Sequence, residues 1–94
     1  MDDLQFGWDA RKARSNLRKH GVSFETATYV FDDPMRLEQE DPFSEGEYRS
    51  IVTGWADDEL LTVVYTCPRE NLIRIISARR STRYESNAYE RRFV

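Results

Sequence analysis

The chain has 94 residues, of which 33% are charged and 13% aromatic, and its formal net charge is −3. That length suits one domain around one core, and the balance is that of a folded domain rather than a disordered tail. No apolar run approaches the roughly 18 residues of a membrane span, and the acidic start MDDLQFGWDA lacks the regions of a signal peptide.

One cysteine, Cys67, excludes an internal disulfide, so a reducing, intracellular compartment is expected. The modest net charge conceals segregation. Residues 11–20 hold five Lys or Arg and no acid, residues 32–59 hold ten acids against two Arg, and residues 69–94 hold seven Arg against three Glu. Two basic ends around an acidic middle can place a positive concavity on a negative molecule.

Residues 4–8 alternate weakly and predict a short first strand. Asp9 is then an N-cap for a helix to about His20, with Gly21 placed to take the left-handed C-terminal position. Ala10, Ala13 and Leu17 form its expected inward face. Lys12, Asn16 and Lys19 form a stripe at i, i+4 and i+7, with His20 beside it. Ser23 caps a second, shorter helix in which Phe24, Ala27, Val30 and Phe31 are apolar, and Asp33-Pro34 closes it.

Strands are expected over 36–40, 47–55, 60–66 and 72–79, rich in Val, Ile, Tyr and Thr and joined by short turns in an antiparallel meander. A last helix starts near Thr82, where Thr82-x-x-Glu85 is a capping box, with Tyr84, Ala88 and Phe93 expected inward. The order β-α-α-β-β-β-β-α predicts an α+β fold, with the helices on one face of a twisted antiparallel sheet.

Two junctions carry candidate chemistry. Lys12, Asn16, Lys19 and His20 form a stripe of donors that ends at a helix C-terminus, where the dipole favours Lys19 and His20; they suit phosphate contact or proton transfer, and equally helix capping. Arg79, Arg80 and Arg83 surround a helix N-terminus, where cations oppose the dipole. Anion binding explains them, as would ion pairs to the acidic middle. Arg49 and Arg74 interrupt neutral strands and are expected on the open sheet face, with Arg74 sharing its side with Ile76 and Ala78. Tyr89 adds a hydroxyl one turn beyond Glu85. One His and one Cys cannot build a His/Cys zinc site, and no phosphate-cradling glycine motif occurs.

The segments FGWDARKARSNLRKHGVSFETATYVFDDP, EGEYRSIVTGW, LLTVVYT and IRIISARRSTRYESNAYE resemble the BrnT toxins of type II toxin–antitoxin modules, nearly end to end. The resemblance implies a RelE-like fold in one domain over residues 1–94, a bacterial cytoplasmic location, and a metal-independent, cofactor-free endoribonuclease that halts translation. It also implies a BrnA-like antitoxin that neutralises the toxin and carries the contact with operator DNA. The 2′-OH of the RNA would attack the adjacent phosphorus. Arg49, Arg79 and Arg80 would then stabilise the phosphorane, Lys12, Lys19 or His20 would transfer protons, and Glu47 or Tyr89 would assist. Arg74, Arg83 and Asn16 would bind RNA. Phe43 stands where members often carry a His, which leaves open an impaired homologue that acts as an antitoxin-binding co-repressor.

Overall fold

The computed structural model describes residues 3–42 and 48–93. Their order is β1 (Gln5–Gly7), α1 (Ala10–His20), α2 (Phe24–Ala27) running into a 3-10 helix (Thr28–Asp32), β2 (Leu37–Glu40), β3 (Ser50–Ala56), β4 (Glu59–Arg69), β5 (Leu72–Arg80) and α3 (Arg83–Arg91). The expected succession of elements is present. The cap signals also act as read: Asp9 accepts from the amides of Arg11 and Lys12, and Gly21 closes α1 at φ 69°. Ser23 caps α2, and Thr82 and Glu85 form a reciprocal capping box on α3.

The five strands lie in the order β1-β5-β4-β3-β2. Strands β2 to β5 form the antiparallel meander, whereas β1 joins β5 in parallel, so the sheet is mixed rather than antiparallel throughout. The chain leaves β1 through the helices and returns beside it only four strands later, which lets the two strands run the same way.

Cross-strand partners share a face, so the register sorts the sheet into two sides. One side carries Val52, Val63 and Ala78, then Leu61, Tyr65 and Ile75. Phe24, Ala27, Val30 and Phe31 complete a core with these residues. Phe31 meets Tyr65 edge-on with ring centroids 5.1 Å apart. Gly54 allows a close approach here, since a Cβ would stand 3.0 Å from Val30 Cγ1 and 3.2 Å from the Asp33 carboxylate, and those side chains would have to give way.

The other side carries Ile51, Thr53, Thr62, Val64, Ser77 and Arg79. Helix α3 meets this side, because its Glu85 bonds both Thr62 and Arg79. The expectation that every helix packs on one face is therefore corrected: α2 and the 3-10 helix cover the apolar face, and α3 sits across part of the polar one. The attraction is a carboxylate for a polar face, not an apolar stripe for a core. Tyr84 and Phe93, expected inward, are exposed, and the buried residue of α3 is Tyr89. In α1 the buried residue is Asn16, while Leu17 is 50% exposed.

Candidate functional site

The polar sheet face is the natural place to look for chemistry, and one extra residue in β5 shapes it. Val64 pairs with Ser77 while the next residue, Tyr65, pairs with Ile75, so Ile76 is a bulge. Simple alternation puts Arg74 with Ala78 and Arg79 on the opposite side. The bulge reverses that relation. Arg74, opposite Thr66, now shares the polar face with Ser77 and Arg79, while Ala78 points into the core. Continuing the β3 register by one residue places half-buried Arg49 beside Thr66 at the same end as Arg74.

Arg79 is held at the other end of this face. Its two terminal nitrogens donate to Glu85 at 2.7 and 2.8 Å, a bidentate fork. Glu85 also accepts from the Thr62 hydroxyl at 3.1 Å and from the Thr82 amide at 2.8 Å. The Arg79 guanidinium, with partial burial opposing it, holds the Glu85 carboxyl down at about 2, and the same pairing raises Arg79. One carboxylate thus caps α3, docks it on the sheet and orients Arg79.

Arg80 does not share this arrangement. It pairs with no residue of the polar face but lies opposite Leu61, on the core side of the strand. Its Nε binds Glu59 at 2.5 Å, and Nη1 donates to the His20 carbonyl at 3.1 Å. Arg80 therefore caps the C-terminus of α1 and ties it to β4. Arg79 and Arg80, expected together on the phosphate, face opposite sides of the sheet, since adjacent strand residues project to opposite sides.

The α1 stripe meets the polar face at β5. A groove of about 240 Å³ is lined by Lys12, Lys19 and His20 from α1 and by Ile76 and Ser77 from β5. Among the described residues, no ion pair involves Lys12, Lys19 or His20.

Asn16, expected to touch RNA, has a different task. It is 6% exposed, and its Nδ2 donates to the carbonyls of Val22 and Ala78 at 2.9 and 2.7 Å. Its Oδ1 accepts from the Ala78 amide at 3.0 Å. A single side chain thus mimics a neighbouring strand at the part of β5 that β1 does not reach. With both donors engaged, Asn16 is a structural residue.

Tyr89 is likewise withdrawn from the chemistry. It is 5% exposed, and its hydroxyl donates to Asp33 at 2.7 Å. Burial first, and then the Asp33 carboxylate, pushes its pKa up to about 12. Asp33 also accepts from the amides of Trp55 and Met35. Burial alone would raise its pKa, but these donors lower it on balance. Tyr89 and Asp33 clamp α3 to the loop before β2.

Arg83 is exposed in the first turn of α3. Glu47 and Phe43 lie outside the described residues. Glu85, Thr62 and Ser77 were not among the expected site residues. Glu85 stood within the segment that carries the resemblance and in the capping box, and the box disclosed a helix start rather than a partner for Arg79.

This α+β fold is similar to that of the ribonuclease toxin BrnT of Brucella abortus, known from a 1.1 Å crystal structure. The TM-score is 0.64 at 18% identity, covering 85% of this chain and 99% of that one. Residues 8–85 match the family described as ribonuclease toxin, BrnT, of type II toxin–antitoxin systems, and the chain belongs to that family. No curated protein matches the sequence.

Proposed function

We propose that this protein is an endoribonuclease of RelE-like build that cleaves RNA on the polar sheet face and thereby inhibits translation in the bacterial cytoplasm. The observation that carries the reading is the placement of Arg74 and Arg79 on one face, beside the groove formed by Lys12, Lys19 and His20. Arg79 and Thr66, the neighbour of Arg49, belong to rungs four residues apart on β4, roughly 13 Å along the strand. That spacing suits an RNA strand lying along the face better than a single phosphate held by every arginine.

In this reading the 2′-OH attacks the adjacent phosphorus without a metal. Arg79 stabilises the charged phosphorane from a fixed orientation, and Lys12, Lys19 or His20 moves the protons. Arg49, Arg74 and Arg83 bind flanking phosphates. Arg80 contributes indirectly, by fixing the end of α1 that bears Lys19 and His20. A BrnA-like antitoxin neutralises the toxin and carries the operator contact. A cleavage assay with purified protein and EDTA tests the reading. Products ending in 2′,3′-cyclic phosphate are expected, and 3′-hydroxyl ends would overturn the mechanism.

A second reading is favoured by the engagement of Arg79 with Glu85. In it the chain is a catalytically impaired homologue whose basic face only docks the antitoxin as a co-repressor. Induced expression separates the two, because a docking protein leaves growth and RNA intact.

A further inference from the structure

Beside Arg79, a second groove of about 330 Å³ opens between α3 and strands β2 and β3. Tyr84 and Glu85 line it from the helix; Gln39, Glu40, Ile51 and Thr53 line it from the sheet, with Pro42 just beyond the end of β2. Gln39 pairs with Ile51 in register, so its side chain belongs to the polar face that carries Thr53, Thr62 and Arg79.

Tyr84 is the residue here that the fold does not explain. It is 77% exposed in the first turn of α3, while Tyr89 supplies the helix's buried contact. Among the described residues, neither its ring nor its hydroxyl has a partner, and the Gln39 amide has none either. The groove floor, by contrast, is connected to the cationic site. The Thr53 and Thr62 hydroxyls are 3.2 Å apart, and Thr62 donates to the carboxylate that holds Arg79. An exposed aromatic ring and an unengaged amide therefore line one groove, and the Glu85 carboxylate on its wall is the one that holds Arg79.

We propose that this groove is a nucleobase subsite, in which a base next to a phosphate held by Arg79 stacks on Tyr84 and presents its edge to Gln39. The proposal rests on the reading of the polar face as an RNA-cleaving surface. The chemistry of the two residues divides the labour. Stacking on an aromatic ring is tolerant of base identity, since every base has a π-face, whereas an amide that both donates and accepts distinguishes base edges. Tyr84 therefore supplies affinity, and Gln39 supplies preference.

The test uses 2′-O-methyl RNA decamers, each carrying 2-aminopurine at one position scanned along the strand, together with cleavable RNAs differing in one base. For the wild-type chain, fluorescence quenching at a restricted position is expected. Tyr84→Ala should abolish the quenching and weaken binding by roughly five- to a hundredfold for all bases, while Tyr84→Phe retains both. Gln39→Ala should alter the relative cleavage of the four bases at least threefold. Both side chains are exposed, so neither change threatens the core. Wild-type cleavage accompanied by unchanged quenching in Tyr84→Ala and unchanged preference in Gln39→Ala overturns the subsite alone. Quenching by a wild-type chain that cleaves nothing overturns the ribonuclease reading and leaves the subsite standing. Failure of the wild-type chain to bind the decamers overturns both.

Discussion

At the α1 end, Lys12, Lys19 and His20 line a groove, and among the described residues no carboxylate pairs with them. At the β5–α3 junction, Arg79 and Arg80 are already held by Glu85 and Glu59. The difference lies in how each junction is built. Lys19 and His20, in the last turn of α1, are favoured by the helix dipole and need no partner. Lys12 belongs to the first turn and joins them through the i, i+7 spacing of the stripe. Arginines near the start of α3 oppose its dipole, and a carboxylate at the third helical position offsets them. The first junction offers mobile charge, and the second offers oriented charge. An RNA phosphate would meet Arg79 with its guanidinium plane already set, and would meet the lysines as flexible point charges.

Arg79→Ala should separate the two most sharply. Cleavage of a model RNA is expected to fall by roughly 100- to 1,000-fold, the usual consequence of removing one oriented donor to a developing oxyanion. A loss smaller than that of either lysine variant would break the contrast. Asn16→Ala tests the fold beneath the lysines. It deletes three buried hydrogen bonds, and urea unfolding should show a loss of about 3 kcal/mol.

Acid titration probes the oriented junction further. The Glu85 carboxyl is depressed from an ordinary 4.5 to about 2, so its charged form stabilises the fold fully above pH 4.5. That contribution is lost as pH falls from 4.5 towards 2. The gap in urea midpoint between wild type and Glu85→Gln should therefore narrow through that window, and a constant gap would show that the pairing does not govern it.

Lys12→Ala and Lys19→Ala should each weaken RNA binding several-fold and make its salt dependence shallower by about one unit of slope. Thermal stability should change by less than about 0.5 kcal/mol. Tyr89→Phe should have the smallest effect, about 1 kcal/mol of stability from the lost bond to Asp33, with the cleavage rate unchanged. A strong loss of cleavage would return Tyr89 to the chemistry.

Signals that act within one helical turn were legible in the chain. Asp9, Gly21, Ser23 and the Thr82–Glu85 box each mark an element boundary that the structure realises. The lysine stripe was also legible, since helical periodicity places Lys12 and Lys19 together. The inward face of α1 was legible only in part: Ala13 packs against the core, but Leu17 does not. Periodicity favoured Leu17, but the contact at the β5 edge selects Asn16, whose amide satisfies backbone groups that an apolar side chain would leave unpaired. Helix α3 misled for a similar reason: its aromatic residues suggested a core face, while Glu85 docks it through polar contacts.

The sequence by itself determined the succession of elements, their caps and the segregation of charge, because these depend on neighbours a few residues apart. Only the tertiary structure decided which cations share a surface. Inserting Ile76 into the β4–β5 ladder brings Arg74 onto the side of Arg79, and strand alternation sends Arg80 to the side of α1's end. A strand's facing reverses with one unpaired residue, and that residue is defined by its partner strand rather than by its own sequence.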